Sequence, residues 1–488
     1  MPSVQSKASE IVAGVRPQLC IGGAWRPARG GGTFQVQDPA TEAGLAEVAD
    51  GTVEDARAAM EAAAAAQGAW AATAPRKRSE ILSEAYRRMI ADEERLAALM
   101  TLEMGKSVEE SKAEVRYAAE FFRWFAEEAV RIDGRYALSP DGSARLLTQR
   151  QPVGVCVLVT PWNFPLAMGT RKIGPAIAAG CCMVVKPAQQ TPLSMLALAQ
   201  LLADCGLPDG VLNVVTTTEA SATVTAMIEH PAARKLSFTG STAVGRKLAE
   251  QGGRRLLRMS MELGGNNPFI VFEDADVDAA VEGAMLAKMR NIGEACTAAN
   301  RFYVHRSLQD AFAKAMTAKM AALKVGHGLS GADVGPLIDG KARDKVAELV
   351  DEAVAEGAKV LTGGKAPEGA GWFYAPTVLT DVPASAKIGQ AEIFGPVAPI
   401  TPFDDEDEVV AAANGSEAGL TAYVYTRDLA RALRVVERLD VGMVGLNRGV
   451  VSNPAAPFGG VKTSGFGREG GYEGIEEYLS VKYAALPA

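Results

Sequence analysis

From Val153 to Leu263, short apolar runs alternate with helical stretches, and this alternation limits the fold more than any other feature of the chain. Val153 to Val159 carries no polar side chain, as expected of a parallel strand buried on both faces. Further strands are predicted at Cys181 to Lys186, Val211 to Val215, Lys235 to Thr239 and Met259 to Leu263. Helices fall between them at Pro192 to Asp204, Ala220 to Glu229 and Val244 to Gln251. This order predicts a doubly wound α/β unit of the nucleotide-binding kind. A second α/β block opens at Phe269 to Phe272. It continues through a strand at Phe302 to His305, helices at Leu308 to Leu323 and Lys341 to Glu356, a strand at Thr421 to Tyr425 and a helix at Leu429 to Leu439. Gly442 to Asn447 then leads into a Gly/Pro/Ser-rich loop, Gly449 to Gly470.

Upstream, Leu19 to Arg26 and Gly32 to Gln37 read as short strands split by a Gly-rich hairpin. Thr52 and Asp55 form a capping box for an Ala-rich helix to about Ala72, and Pro75 starts another. A third helix is expected around Glu114 to Arg131, with Tyr117, Phe121 and Phe125 as a core-packing stripe. Leu146 to Gln151 reads as a strand. The uncharged run Gln151 to Thr170 is long enough to raise a membrane question. Pro152, Pro161, Asn163 and Pro165 break it into strand, turn and loop. The acidic run Asp404 to Glu408 is expected to be a helix N-terminus with a solvated face.

At 488 residues the chain is long enough for two or three domains. Its net charge of −8 argues against a nucleic-acid partner or an anionic membrane surface. Met1 to Gln18 has no continuous apolar segment and reads as neither a signal nor a transit peptide. Six cysteines, at positions 20, 156, 181, 182, 205 and 296, show no framework spacing, which suits a reduced, cytoplasmic protein. The three histidines, at 230, 305 and 327, lie far apart and leave little for a zinc site or a Ser-His-Asp triad.

Chemistry concentrates elsewhere. A helical pattern over Val277, Ala280, Val281, Ala284, Leu286 and Ala287 runs toward Gly293, where the backbone can turn sharply just before Cys296. Most free cysteines are small buried apolar residues. This one sits among Asn291, Glu294, Thr297 and Asn300, which suits a thiol facing a cleft. Glu262 lies at the end of an apolar strand, between Met261 and Leu263, ahead of Gly264 and Gly265. Burial there should raise its pKa toward neutrality, as a general base needs. A thiol and such a carboxyl suggest acyl-enzyme chemistry closed by water. Phe238 to Gly245 joins a strand to a helix and offers a seat for a pyrophosphate, although its glycines do not follow G-x-G-x-x-G.

Glu262-Leu263-Gly264-Gly265, followed by Cys296, resembles the aldehyde dehydrogenase superfamily over nearly the whole chain. Pro161-Trp162-Asn163-Phe164-Pro165, Lys186-Pro187-Ala188, Phe238-Thr239-Gly240-Ser241, Glu392-Ile393-Phe394-Gly395-Pro396 and Pro457-Phe458-Gly459-Gly460 match in order. The resemblance implies a Rossmann-like cofactor domain, an α/β catalytic domain and a small β oligomerisation arm. Their expected bounds are 1–134 with 152–264, 265–458, and 135–151 with 472–488. Dimerisation in the family uses the protruding arm and the C-terminal strand, here expected at Arg135 to Gln151 and Ile475 to Ala484, so a homodimer or homotetramer is implied.

The same resemblance assigns roles. Cys296 would attack the aldehyde as a thiolate of lowered pKa, the Asn163 amide and the Cys296 N–H would hold the oxyanion, and Glu262 would activate water against the thioester. Lys186 and Glu392 would hold the cofactor riboses and Phe394 would flank the nicotinamide. Thr160, Pro161, Trp162, Gln189, Gly240, Ser241, Gly245 and Leu263 complete the implied cofactor site. Gln189 stands where NAD-preferring relatives carry a Glu that repels a 2′-phosphate, so NADP is favoured and NAD stays usable.

Arg171 and Arg290 stand where relatives acting on uncharged aldehydes carry aromatic residues. With Ser452, they look like the carboxylate anchor of the succinate-semialdehyde dehydrogenase subgroup. The alternative is that both pair with acidic neighbours such as Glu294. Oxidation of succinic semialdehyde to succinate is therefore expected. Glutarate semialdehyde and sulfolactaldehyde are alternative substrates, and a catalytically silent cofactor-binding protein is the reading from another class. Ala298 replaces the second cysteine of some subgroup members, so no disulfide switch through Cys296 is expected.

Overall fold

The computed structural model describes residues 4–383 and 385–488, so the part of the N-terminal reading that concerns residues 1–3 lies outside the described residues. Five parallel strands form the middle of the first sheet, in the spatial order Leu212–Val214, Met183–Lys186, Val155–Val159, Ala233–Thr239, Arg258–Glu262. Every residue of Val155–Val159 is buried. The chain leaves that strand toward one side for two strands and then returns to its other side for two more, the Rossmann-like reversal. Ligands in such sheets bind in the crevice beyond the strand C-termini at the reversal. Glu262, Lys186 and Thr239 are the last residues of their strands, and Asn163 follows shortly after Val159.

The second sheet carries Asn267–Val271, Ala299–His305, Val397–Phe403, Thr377–Thr380, Thr421–Tyr425 and Met443–Leu446 in parallel, with Lys359–Thr362 antiparallel at one edge. A third sheet of Arg135–Leu138, Ala144–Pro152 and Leu479–Pro487 forms the arm. Late in the chain, Gly465–Phe466 returns to the first sheet and pairs with Met261 and Glu262. The edge of the strand bearing Glu262 is thereby covered by a loop from the far end of the sequence.

Several expectations are corrected. Leu19 to Arg26 is two strands, Leu19–Ile21 and Ala24–Arg26, because Gly22 and Gly23 both take positive φ and reverse the chain. Thr33–Gln37 pairs instead with Gly44–Ala49, and the helix Glu93–Met104 was not anticipated. The Gln151 to Thr170 run ends in a helix, Ala167–Ala179, which holds Pro175. The third helix spans Val108–Glu128, capped by Ser107, which accepts from the Glu110 N–H. Leu286 is 56% exposed and so lies off the apolar stripe of its helix. The C-terminal strand starts only at Leu479, since Glu473–Glu476 is helical. In the acidic run, Asp405 caps the helix Glu406–Asn414, but Glu406 is tied to Arg434 and Arg438 at 2.7 and 3.1 Å. It is an ion-pair hub, not part of a solvated face.

Candidate active site

A cavity of ≈ 280 Å³ opens at the strand C-termini of the first sheet, facing the second. Of the residues singled out from sequence, it is lined by Pro161, Trp162, Asn163, Arg171, Gly240, Ser241, Glu262, Leu263, Arg290, Cys296, Glu392, Phe394 and Ser452. Four stand apart from it. Lys186 is buried at the end of its strand, and its backbone carbonyl accepts from the Thr160 N–H at 3.2 Å. Gln189 is exposed, and Gly245 lies directly beneath Leu263.

The loop bearing Cys296 is the most contorted backbone in the site. Asn291, Ile292 and Gly293 take φ of 56°, 62° and 79° in succession. Left-handed backbone at a β-branched residue costs on the order of 1–3 kcal/mol, so surrounding contacts must hold it. The Asn291 side chain donates to the carbonyls of Asn163 at 3.1 Å and Glu294 at 2.9 Å, and its N–H donates to the Glu110 carboxylate. A side chain at Gly293 would run into the Gly395 carbonyl at 2.3 Å. Beyond the turn, Asn267 donates to the carbonyls of Cys296 and Ala298 at 2.8 and 2.9 Å, and the Tyr423 hydroxyl donates to that of Thr297 at 2.8 Å. Gly265 permits this approach, because a Cβ there would lie 2.5 Å from the Cys296 carbonyl. The Asn163 amide donates to the Glu294 carbonyl at 2.9 Å, which leaves its second N–H for a ligand.

Burial dominates the electrostatics at this end. The Cys296 thiol is pushed up to about 12 by burial, against the pull of Arg171 and Arg290. The expected lowering is thus absent, and the resting group is a neutral thiol. Glu262 is raised well above the carboxylate range, by burial first and then by Glu469, and neither of its oxygens has a hydrogen-bond partner. Burial also works on Glu469, but Lys172 and Arg171 hold it below its ordinary value. Glu294 is likewise raised well above the usual range by burial, and it accepts from the Ile338 N–H at 3.1 Å. It is therefore not the partner of either arginine.

At the other end, the Arg171 guanidinium lies 2.7 Å from Glu469 and 3.9 Å over the Phe458 ring. Arg290 donates to the Ser452 hydroxyl at 3.3 Å and stacks over Phe164 at 4.9 Å. Tyr117, read from sequence as core packing, also lines the cavity, as do Lys345 and Phe458. Tyr117 carried one visible signal, a hydroxyl in an otherwise apolar stripe. Glu469 and Lys345 carried none, since only the tertiary fold brings them in.

The residues assigned to a dinucleotide fit one physically. The Lys186 ammonium, lowered to about 8 by burial alone, makes no hydrogen bond or ion pair within the described residues, as suits an amine that awaits ribose hydroxyls. Glu392 accepts from the Gly265 N–H at 3.1 Å and is raised to about 7 by burial. Ser241 caps the helix Thr242–Arg254, whose N-terminus opens beside the cavity. Phe394, at φ 58°, meets Trp162 edge-on at 5.4 Å. Among the described residues there is no metal-binding cluster, all six cysteines are free, and no helix is long and apolar enough to cross a membrane.

Residues 25–484 match the aldehyde dehydrogenase family. The chain is 56% identical over 443 residues to a succinate-semialdehyde dehydrogenase of Paenarthrobacter nicotinovorans, covering 91% of this chain and 98% of that protein. It is 50% identical to a glutarate-semialdehyde dehydrogenase of Pseudomonas putida KT2440, covering 96% and 98%. The crystal structure of an E. coli NADP-dependent enzyme superposes with a TM-score of 0.96 at 49% identity, covering 97% of this chain and 98% of that one.

Proposed function

The chain belongs to the aldehyde dehydrogenase family, and from that premise we propose that it oxidises succinic semialdehyde to succinate with NAD or NADP. The observation that carries this reading is one cavity lined both by Cys296 and Glu262 and by Arg171, Arg290 and Ser452. The relative named for succinate semialdehyde supports the substrate class.

In this reading, Cys296 Sγ bonds to the aldehyde carbon and its proton passes to water, which leaves Glu262 free to act as a base, in its ionised form, on the later water. The Asn163 amide stabilises the oxygen that becomes negative. A nicotinamide dinucleotide held at Lys186 and Glu392 would supply the hydride acceptor that lets the thiohemiacetal on Cys296 become a thioester. Glu262 then takes a proton from a water that attacks the thioester carbon. The C–S bond breaks, and the thiol and a carboxylate are released. Because Cys296 rests as a thiol, it becomes a nucleophile only when positive charge or a proton acceptor is at hand. Lys186 and Glu392 hold the two riboses. Gln189, exposed and uncharged, puts no negative charge near a 2′-phosphate, which supports NADP with NAD also usable.

The test is turnover of ω-carboxylated and uncharged aldehydes with each cofactor. Preference for the carboxylated set supports the reading, and equal kcat/KM for both sets overturns it. Glutarate semialdehyde is the second candidate, favoured by the glutarate-semialdehyde relative and by the same two guanidinium groups. The arm supports a homo-oligomer, because Tyr136, Leu138, Val481 and Tyr483 are each more than half exposed on it.

A further inference from the structure

We propose that the Tyr117 hydroxyl donates a hydrogen bond to the distal anionic group of the substrate and completes, with Arg290 and Ser452, a three-donor anchor. The inference rests on the carboxylated-aldehyde reading above.

Three observations lead to it. First, the two arginines are not equivalent. Arg171 is partly compensated by Glu469 at 2.7 Å, a carboxylate it shares with Lys172, whereas Arg290 forms no salt bridge among the described residues. The polar contact of Arg290 is the Ser452 hydroxyl at 3.3 Å. An incoming carboxylate therefore finds its free cation at Arg290, and Arg171 serves as a wall of partly compensated charge. Second, Tyr117 belongs to the same cluster. Arg290 lies 5.7 Å over its ring, and Ser452 and Tyr117 line the same cavity.

Third, the Tyr117 oxygen is closed off from solvent and meets the Ser452 hydroxyl in a contact that falls short of a well-formed hydrogen bond. Buried phenols ordinarily have a partner, so one left open at a cavity wall marks the place of a ligand atom. Phe121, one turn along the helix, meets the Tyr117 ring edge-on at 5.0 Å and fixes its direction. Burial raises the phenol above its ordinary value, so it remains a donor at neutral pH. Two hydroxyls and one guanidinium match the two oxygens of a carboxylate, each of which accepts more than one bond.

The experiment compares wild type with Tyr117→Phe, which keeps the ring and its contacts with Phe121 and Arg290. The probes are succinic semialdehyde and butanal, with succinate as an inhibitor that needs no turnover. The expected result is a KM for succinic semialdehyde raised about tenfold, the loss of one hydrogen bond to a charged group. The succinate Ki should rise by the same factor, kcat should stay within about twofold, and butanal kinetics should not change. Unchanged constants, or equal changes for both aldehydes, would overturn the inference. Arg290→Ala measured in parallel separates the two levels. If it leaves the preference for the carboxylated aldehyde intact, the underlying substrate reading fails. If it abolishes that preference and Tyr117→Phe does nothing, only the role of Tyr117 fails.

Discussion

The two ends of the cavity are built on opposite electrostatic principles. At the Cys296 end, burial raises both the thiol and Glu262 above their ordinary values, and Glu262 has no hydrogen-bond partner. At the Arg290 end, charge is retained and surrounded by aromatic faces and a hydroxyl. In the proposed reading, the difference lets one small cavity both hold an anion and run proton transfers. The anchor must be charged before substrate arrives. The reacting groups must be able to change charge, which values raised above the ordinary by burial bring within reach for Glu262. Arg171, paired with Glu469 beside Lys172, is a further fixed charge that also acts on Glu262 and Cys296.

The largest expected effect attacks the reacting end. Cys296→Ser should lower kcat by roughly 10³-fold or more, because an alcohol is a far weaker nucleophile than a thiol or thiolate. Cofactor affinity, followed by fluorescence titration, should stay near wild type. Next comes the anchor. Arg290→Ala should cost ~2–5 kcal/mol in kcat/KM for carboxylated semialdehydes and spare neutral aldehydes. Arg171→Ala should be less selective, since it also leaves Glu469 with only Lys172 and so disturbs Glu262.

The smallest effect is in pH dependence. Glu392 is raised to about 7, so its carboxylate form gains population as pH rises through that value. If it accepts from ribose hydroxyls, the cofactor KM should fall several-fold between about pH 6 and 8, and Glu392→Gln should flatten the profile. Glu103 and Glu110 are raised to about 7 as well. For such carboxyls the folded state holds protons that the unfolded chain releases. Their contribution to stability is full below the ordinary carboxylate range and is lost as pH rises through about 7, so the Tm of the cofactor-free protein should decline over that window.

Much of this could be read from the sequence because local and global preferences agree. Val155–Val159 is a strand buried on both faces and was predicted from its lack of polar residues, and the Thr52–Asp55 capping box forms as expected. The doubly wound order followed from alternation alone. The helix Ala167–Ala179 was hidden because Pro175 and the preceding prolines read as breakers, although its buried position tolerates one. Within the site, the residue types of Cys296 and Glu262 and the turn at Gly293 pointed to the cleft, while Asn163 came in through the family resemblance. The thiol's raised pKa did not show, because it depends on how deeply the folded loop buries the sulfur. The pairing of Arg171 with Glu469 was also invisible, since the two are brought together only when the Gly465–Phe466 segment returns to the first sheet.

The most direct test follows Glu262→Gln after mixing with succinic semialdehyde and oxidised dinucleotide, with intact and peptide mass spectrometry. The account predicts rapid formation of about one reduced cofactor per active site, and a succinyl adduct on Cys296 that persists because deacylation is slowed. No adduct, or one on another of the six cysteines, would contradict it.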